Sequence, residues 1–109
     1  MADKTTEQTS TFAAMVAKKQ SWVVNPDADF TSSLIEGLTT NWNRYGYYFC
    51  PCRDSDGSRE ADAKAICPCA PSWKDIEEHG HCFCALYLSP KFAASGKAPQ
   101  SIPDRRSQF

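Results

Sequence analysis

Two stretches in the first half of the chain carry apolar residues at helical spacing. From about Ser10 to Gln20, the residues Phe12, Met15, Val16 and Lys19 fall on one stripe, which predicts a helix buried along that line. The cluster Asn25-Pro26-Asp27 breaks it. A second helix is predicted from Asp29 to about Arg44, where Phe30, Leu34, Ile35, Leu38 and Trp42 repeat at the same period and Gly46 supplies a stop. Gly37 inside it costs up to about 1 kcal/mol relative to alanine. Each stripe is read first as a core face, and so are Trp22 and Trp42.

The second half is organised by punctuation rather than by periodicity. An aromatic run from Tyr45 to Phe49 leads into Cys50, and Asp54-Ser55-Asp56-Gly57 reads as a turn. A short helix is expected from Ser58 to Ala65. Another is expected from Trp73 to His79, with Ser72 as its N-cap, Asp75 completing a capping-box pattern and Gly80 closing it. Residues from Ala93 to Phe109 hold Gly96, Pro99 and Pro103 with little apolar content, and read as an extended tail. The expectation is a mainly α fold, one domain over residues 1–109, with 1–8 and 94–109 as flexible ends.

Composition narrows the function classes. A 109-residue chain with 41% hydrophobic and 23% charged residues has the make-up of one soluble globular domain. No apolar run approaches the ~20 residues of a membrane span, so no membrane association is expected. A formal charge of −1 gives no general attraction to nucleic acid. The pairs Lys18-Lys19 and Arg105-Arg106 read as solvated faces. Met1 to Thr11 is polar and acidic, unlike a secretory signal, so a cytoplasmic setting with reduced thiols is expected.

In that setting the cysteines matter most. All six lie in three Cys-x-Cys pairs: Cys50-Pro51-Cys52, Cys67-Pro68-Cys69 and Cys82-Phe83-Cys84. Six is two more than one tetrahedral metal ion or one four-thiolate iron–sulfur cluster takes. The simplest arithmetic is one cluster and one redox pair of thiols. A zinc module is the main competitor, although structural zinc usually takes pairs spaced by two to four residues. A disulfide scaffold needs an exported protein. Pro51 and Pro68 fix φ and remove an N–H, which makes those short turns stiff.

Cys50-Pro51-Cys52-Arg53, then Cys67-Pro68-Cys69, then Cys82-Phe83-Cys84 followed by Leu86, Tyr87 and Leu88 resembles the catalytic chain of ferredoxin:thioredoxin reductase, over roughly residues 10 to 95. The resemblance implies a small helix-rich domain wrapped around a [4Fe-4S] cluster. It implies Cys50, Cys67, Cys69 and Cys82 as cluster ligands, and Cys52 with Cys84 as a redox disulfide beside it. Cys52 is then the exposed attacking thiol and Cys84 the inner one. Ferredoxin is the implied electron donor, and thioredoxin or a thioredoxin-like protein the acceptor.

Two departures from the family pattern are visible. Members commonly carry histidine between the last two cysteines, as a proton donor, where this chain has Phe83; His81, or His79, is the candidate substitute. The segment from Cys69 to Cys82 is also longer than in the photosynthetic enzymes. Both resemble the single-chain branch of the family, which argues against dependence on a second, variable subunit; the chain working alone, as a homodimer or with another subunit are the alternatives left open. Arg53 is a candidate for lowering the pKa of Cys52 or for receiving a partner's backbone, against the plain alternative of a surface arginine. Tyr47, Tyr48, Phe49, Trp73, Phe83 and Tyr87 are candidates for a dry shell around the site. A metal-binding module without turnover and a cluster-based redox sensor are the other functions the cysteines allow.

Overall fold

The computed structural model describes residues 3–109. In chain order it runs α1 (Thr6–Gln20), β1 (Val23–Val24), α2 (Ala28–Tyr45), α3 (Arg59–Asp62) continued by a 3-10 turn at Ala63–Ala65, α4 (Ser72–His79), β2 (Tyr87–Leu88), α5 (Pro90–Ser95) and a last 3-10 turn at Arg106–Gln108. Helices make up 53% of it, and the one ladder is the antiparallel pair Val23–Leu88 and Val24–Tyr87. The mainly α expectation therefore holds. Among the described residues, no helix is long and apolar enough to cross a membrane.

The caps explain where the helices sit. Asp27 accepts from the Phe30 N–H to open α2, and Gly46 closes it in the left-handed region at φ 85°. Both ends fall within a residue or so of the expected ones. Helix α1 starts earlier than its apolar stripe. Thr5 accepts from the Gln8 N–H while the Gln8 side chain accepts from the Thr5 N–H, a reciprocal cap that satisfies two otherwise unpaired donors. The buried line of α1 is also not the hydropathic one. Thr9, Ala13, Val16 and Ala17 are buried while Met15 is 60% exposed. Small residues face inward because α1 packs closely along α2, where Thr9 and Thr39 share a buried hydrogen bond of 2.7 Å. Phe30, expected in the core stripe of α2, is likewise largely exposed.

The core places three of the site's cysteines in a single apolar cluster. Cys50, Cys82 and Cys84 pack among Leu34, Ile35, Leu38, Tyr48, Ile76, Leu86 and Tyr87. Gly37 has a specific task in this arrangement. A Cβ there would lie 2.8 Å from the Pro51 Cβ, closer than carbon atoms pack. The missing side chain lets the first Cys pair rest on α2, a reason that outweighs its helix penalty. Gly37→Ala should therefore destabilise the domain despite the better propensity: overpacking costs about 1–3 kcal/mol against a gain of up to about 1. Thermal unfolding should show a midpoint lowered by about 4 °C or more; a raised midpoint would contradict this packing.

Candidate functional site

Each Cys pair is set by backbone bonds. Phe49 and Ile66 form an isolated antiparallel bridge. Around it the Cys50 N–H donates to Ala65 O at 2.9 Å and the Cys67 N–H to Tyr48 O at 2.7 Å, which brings the first two pairs side by side. The third pair arrives through β2. The Cys82 N–H donates to Tyr87 O, and the Ala85 N–H to Cys82 O. Ala85 turns the chain at φ 64°, a conformation costly for a residue with a Cβ, and the Asn25 side chain holds its carbonyl at 3.0 Å.

Cys50, Cys67, Cys69, Cys82 and Cys84 then line one enclosed apolar cavity together with Pro51, Ser72 and Tyr87. The space between them is small, about 10 Å³. Sulfur is the dominant donor facing it. The Ser72 hydroxyl lies 3.0 Å from Cys69 Sγ, the Tyr87 hydroxyl 3.5 Å from Cys67 Sγ, and the Tyr87 N–H donates to Cys82 Sγ at 3.4 Å. These groups favour thiolate charge. Ser72 was expected as the N-cap of α4. The cap position is instead Pro71, without a side-chain bond, and Ser72 spends its hydroxyl on Cys69.

Cys52 is the exposed cysteine; Cys67 is half-buried and the other four are buried. Cys52 and Cys84 sit in the wall of an outer groove of about 340 Å³, with Phe30, Phe83, Ala85 and residues 99–102. Cys84 thus lines both the outer groove and the inner cavity. All six thiols are unlinked in the structure.

The thiols are electrostatically unequal. A hydrogen bond with Cys84 draws Cys52 down to about 7, with Arg53 assisting and partial burial opposing. Cys84 is pushed well up by its hydrogen bonds with Cys50, Cys52 and Cys82, and by burial. Burial raises Cys67 and Cys69. Cys82, 3.9 Å from Cys84 Sγ, is lowered by that contact first and by the N–H groups of Tyr87, Leu86 and Ala85. Of the neighbouring thiols Cys52 and Cys84, exposed Cys52 is the more readily ionised.

His81 is 2% exposed, not a surface residue. Its Nδ1 lies 2.8 Å from Cys82 O, and its Nε2 accepts from the Gln100 N–H at 3.2 Å. The two bonds fix one tautomer, with the proton on Nδ1 donated to the carbonyl. His79 lies partly exposed at the end of α4, beside Glu78.

Arg53 is not a surface residue either: its side chain is 1% exposed. The guanidinium carbon lies 4.4 Å from the Phe83 ring centroid, and Asp104 Oδ1 is 3.2 Å from Nε. Arg105, expected on a solvated face, pairs at 2.7 Å with the fully buried Asp75 and at 2.8 Å with Glu78. Through these contacts residues 100–106, expected as tail, lie across the site. Of the aromatic candidates, Tyr87 lines the cavity, Tyr48 stacks on Phe12 and Tyr47 donates to Asp62. Trp73 is 46% exposed and bonds Gln20.

Among the described residues, no three His, Cys, Asp or Glu side chains converge on one point that would hold a single metal ion. The donor set does fit a larger thiolate-bound group. Cys50, Cys67, Cys69 and Cys82 supply four sulfurs around one apolar cavity, beside a buried guanidinium whose nitrogens lack aligned partners. Taking such a group requires the four sulfurs to swing apart.

The chain is thus a helical domain with five of its six cysteines lining one cavity and the sixth, Cys52, exposed beside it. The chain belongs to the ferredoxin thioredoxin reductase catalytic beta chain family, whose model matches residues 1–106. It is 33% identical over 82 residues to a Porphyra purpurea protein described as "Ferredoxin-thioredoxin reductase, catalytic chain". That match takes in 72% of this chain and 65% of the relative, so the chain spans just under two thirds of the relative's length.

Proposed function

We propose that the chain is a disulfide reductase that takes electrons one at a time from ferredoxin and delivers them in pairs to the disulfide of thioredoxin or a thioredoxin-like protein. The observation that carries this reading is the placement of Cys84, which shares the outer groove with exposed Cys52 and the inner cavity with the other sulfurs. A thiol placed so can exchange a bond with exposed Cys52 on one side while lying against the buried sulfurs on the other. Family membership agrees with it.

Cys50, Cys67, Cys69 and Cys82 are the residues that would hold a [4Fe-4S] cluster. A cluster held there would supply a one-electron store next to a two-electron disulfide. Cys52 and Cys84 form the redox pair. The Cys52 thiolate attacks one sulfur of the partner's disulfide, making a mixed disulfide and releasing the partner's other sulfur as a thiolate. Cys84 then gives up its proton and attacks Cys52 Sγ, which forms the Cys52–Cys84 bond and releases the second partner thiolate. Two electrons and two protons restore the pair. With a plant-type ferredoxin near −400 mV and thioredoxin near −270 mV, the transfer is downhill by roughly 6 kcal/mol.

His81, with both ring nitrogens engaged, acts by positioning: it ties Cys82 to the segment that forms the groove's far wall. Phe83 supports Arg53. The reading is tested by an anaerobic assay in which reduced ferredoxin is the only electron source. Appearance of thioredoxin thiols, at one per electron consumed, is expected. A chain that binds iron but gives no thioredoxin thiols would be a redox sensor instead.

A further inference from the structure

Arg53 carries the clearest unmet demand in the molecule. Its side chain is 1% exposed, yet Nε, Nη1 and Nη2 make no aligned hydrogen bond with any described residue. Asp104 lies within ion-pair distance of Nε but off the N–H direction, and Phe83 covers one face of the guanidinium. A buried cation without acceptors is expensive, and native structures rarely keep one. The Arg53 backbone N–H donates to Cys50 O at 3.3 Å, its guanidinium rests on Phe83 between Cys82 and Cys84, and charge on Cys69 and Cys50 acts on it together with that of Asp104. A neutral thiol leaves that demand unmet and a thiolate answers it.

We propose that Arg53 is the fixed counter-charge of the four-sulfur centre, and that Asp104, brought in by the C-terminal segment, sets how much of that charge the centre feels. This rests on the reading that the four sulfurs hold an iron–sulfur cluster. Four thiolates in one apolar cavity repel one another. A single guanidinium beside Cys69 and Cys50 offsets part of that repulsion, and the Phe83 face keeps it seated without an acceptor of its own. Arg53 acts through the sulfurs and touches no substrate, so it is a positioning residue. Asp104 is 30% exposed and opposes Arg53 with charge of the other sign.

The two side chains must therefore shift the centre's reduction potential in opposite directions. The test compares iron-loaded wild type, Arg53→Met, Arg53→Lys and Asp104→Asn by spectroelectrochemical titration at one pH, with iron content measured on each. Arg53→Met should lower the potential, Arg53→Lys should restore most of it, and Asp104→Asn should raise it. Chelator should also strip iron from Arg53→Met about tenfold faster, the equivalent of one lost charge-assisted hydrogen bond. A purely structural pair would instead lose iron on either substitution with no shift of opposite sign, and that result overturns the inference. Should Arg53→Met fail to fold, Asp104→Asn decides alone: a raised potential supports the proposal and an unchanged one overturns it. A wild type that binds no iron overturns the proposed function as well, whereas iron-loaded chains whose potential ignores both substitutions overturn only this inference.

Discussion

Cys67→Ser is expected to yield a colourless protein that has lost its iron. Cys67 lines the inner cavity with the Tyr87 hydroxyl at its sulfur, and it lines no part of the outer groove. A serine hydroxyl at that place does not ionise at neutral pH, so the proposed centre would lose one anionic donor of four. Iron–sulfur clusters are held by thiolates, and three in an apolar cavity leave one iron without a protein ligand. Iron and sulfide analysis after anaerobic reconstitution measures the outcome directly. The expected value falls from about four of each per chain to below about one. Fold should survive the change better than iron does, because the Cys67 backbone bond to Tyr48 is untouched. Far-ultraviolet circular dichroism separates loss of cluster from loss of fold.

Cys52→Ser should do the reverse, keeping the iron and abolishing reduction of the partner's disulfide. Cys52 is exposed in the outer groove and lines no part of the inner cavity. In the proposed reaction its thiolate is the attacking group, and a serine hydroxyl cannot form the mixed disulfide. Thioredoxin thiol formation should drop to the rate without enzyme while the visible spectrum of the cluster persists. If Cys52→Ser stripped the iron and Cys67→Ser did not, the two roles would have to be exchanged. The same geometry predicts selectivity in wild type. After reduction, an alkylating agent should label Cys52 well before buried Cys84, as peptide mass spectrometry would show.

How far the sequence reaches depends on whether the signal is local. Helix α2 was legible because Leu34, Ile35 and Leu38 repeat at helical spacing between Asp27 and Gly46, all within one stretch. The start of α1 was hidden, since Thr5 and Gln8 cap it in a polar stretch without apolar period. Its inner face was misjudged because close approach of two helices buries alanine and threonine, and hydropathy ranks Met15 above them. The cysteines announced a site because so many thiols within so few residues have few ordinary explanations. Which cysteine is exposed was implied by family resemblance and is set by how the three pairs come together in the fold.

Other parts of the site depend on long-range contacts that no window contains. Tyr87 reaches Cys67 across twenty residues, and Arg105 reaches Asp75 across thirty. Arg105 therefore looked like a solvated cation, and Asp75 like half of a capping box. The cover over His81 was hidden because the Gln100 segment that bonds it reads as a tail. Ser72 kept its place at the start of α4 but serves Cys69. A polar residue whose conventional local role is taken over by its neighbour was the one sequence signal available, and Pro71 ahead of Ser72 supplied it.

In the proposed function four sulfurs stay on iron and two exchange a bond. Native mass spectrometry of the anaerobic, oxidised protein measures both halves at once. It should give a mass increment of about four irons and four sulfides, together with a loss of about two hydrogens that disappears on reduction, and fragmentation should place that bond between Cys52 and Cys84. A chain carrying zinc, or an iron-loaded chain whose Cys52 and Cys84 are never joined in the oxidised state, would contradict it.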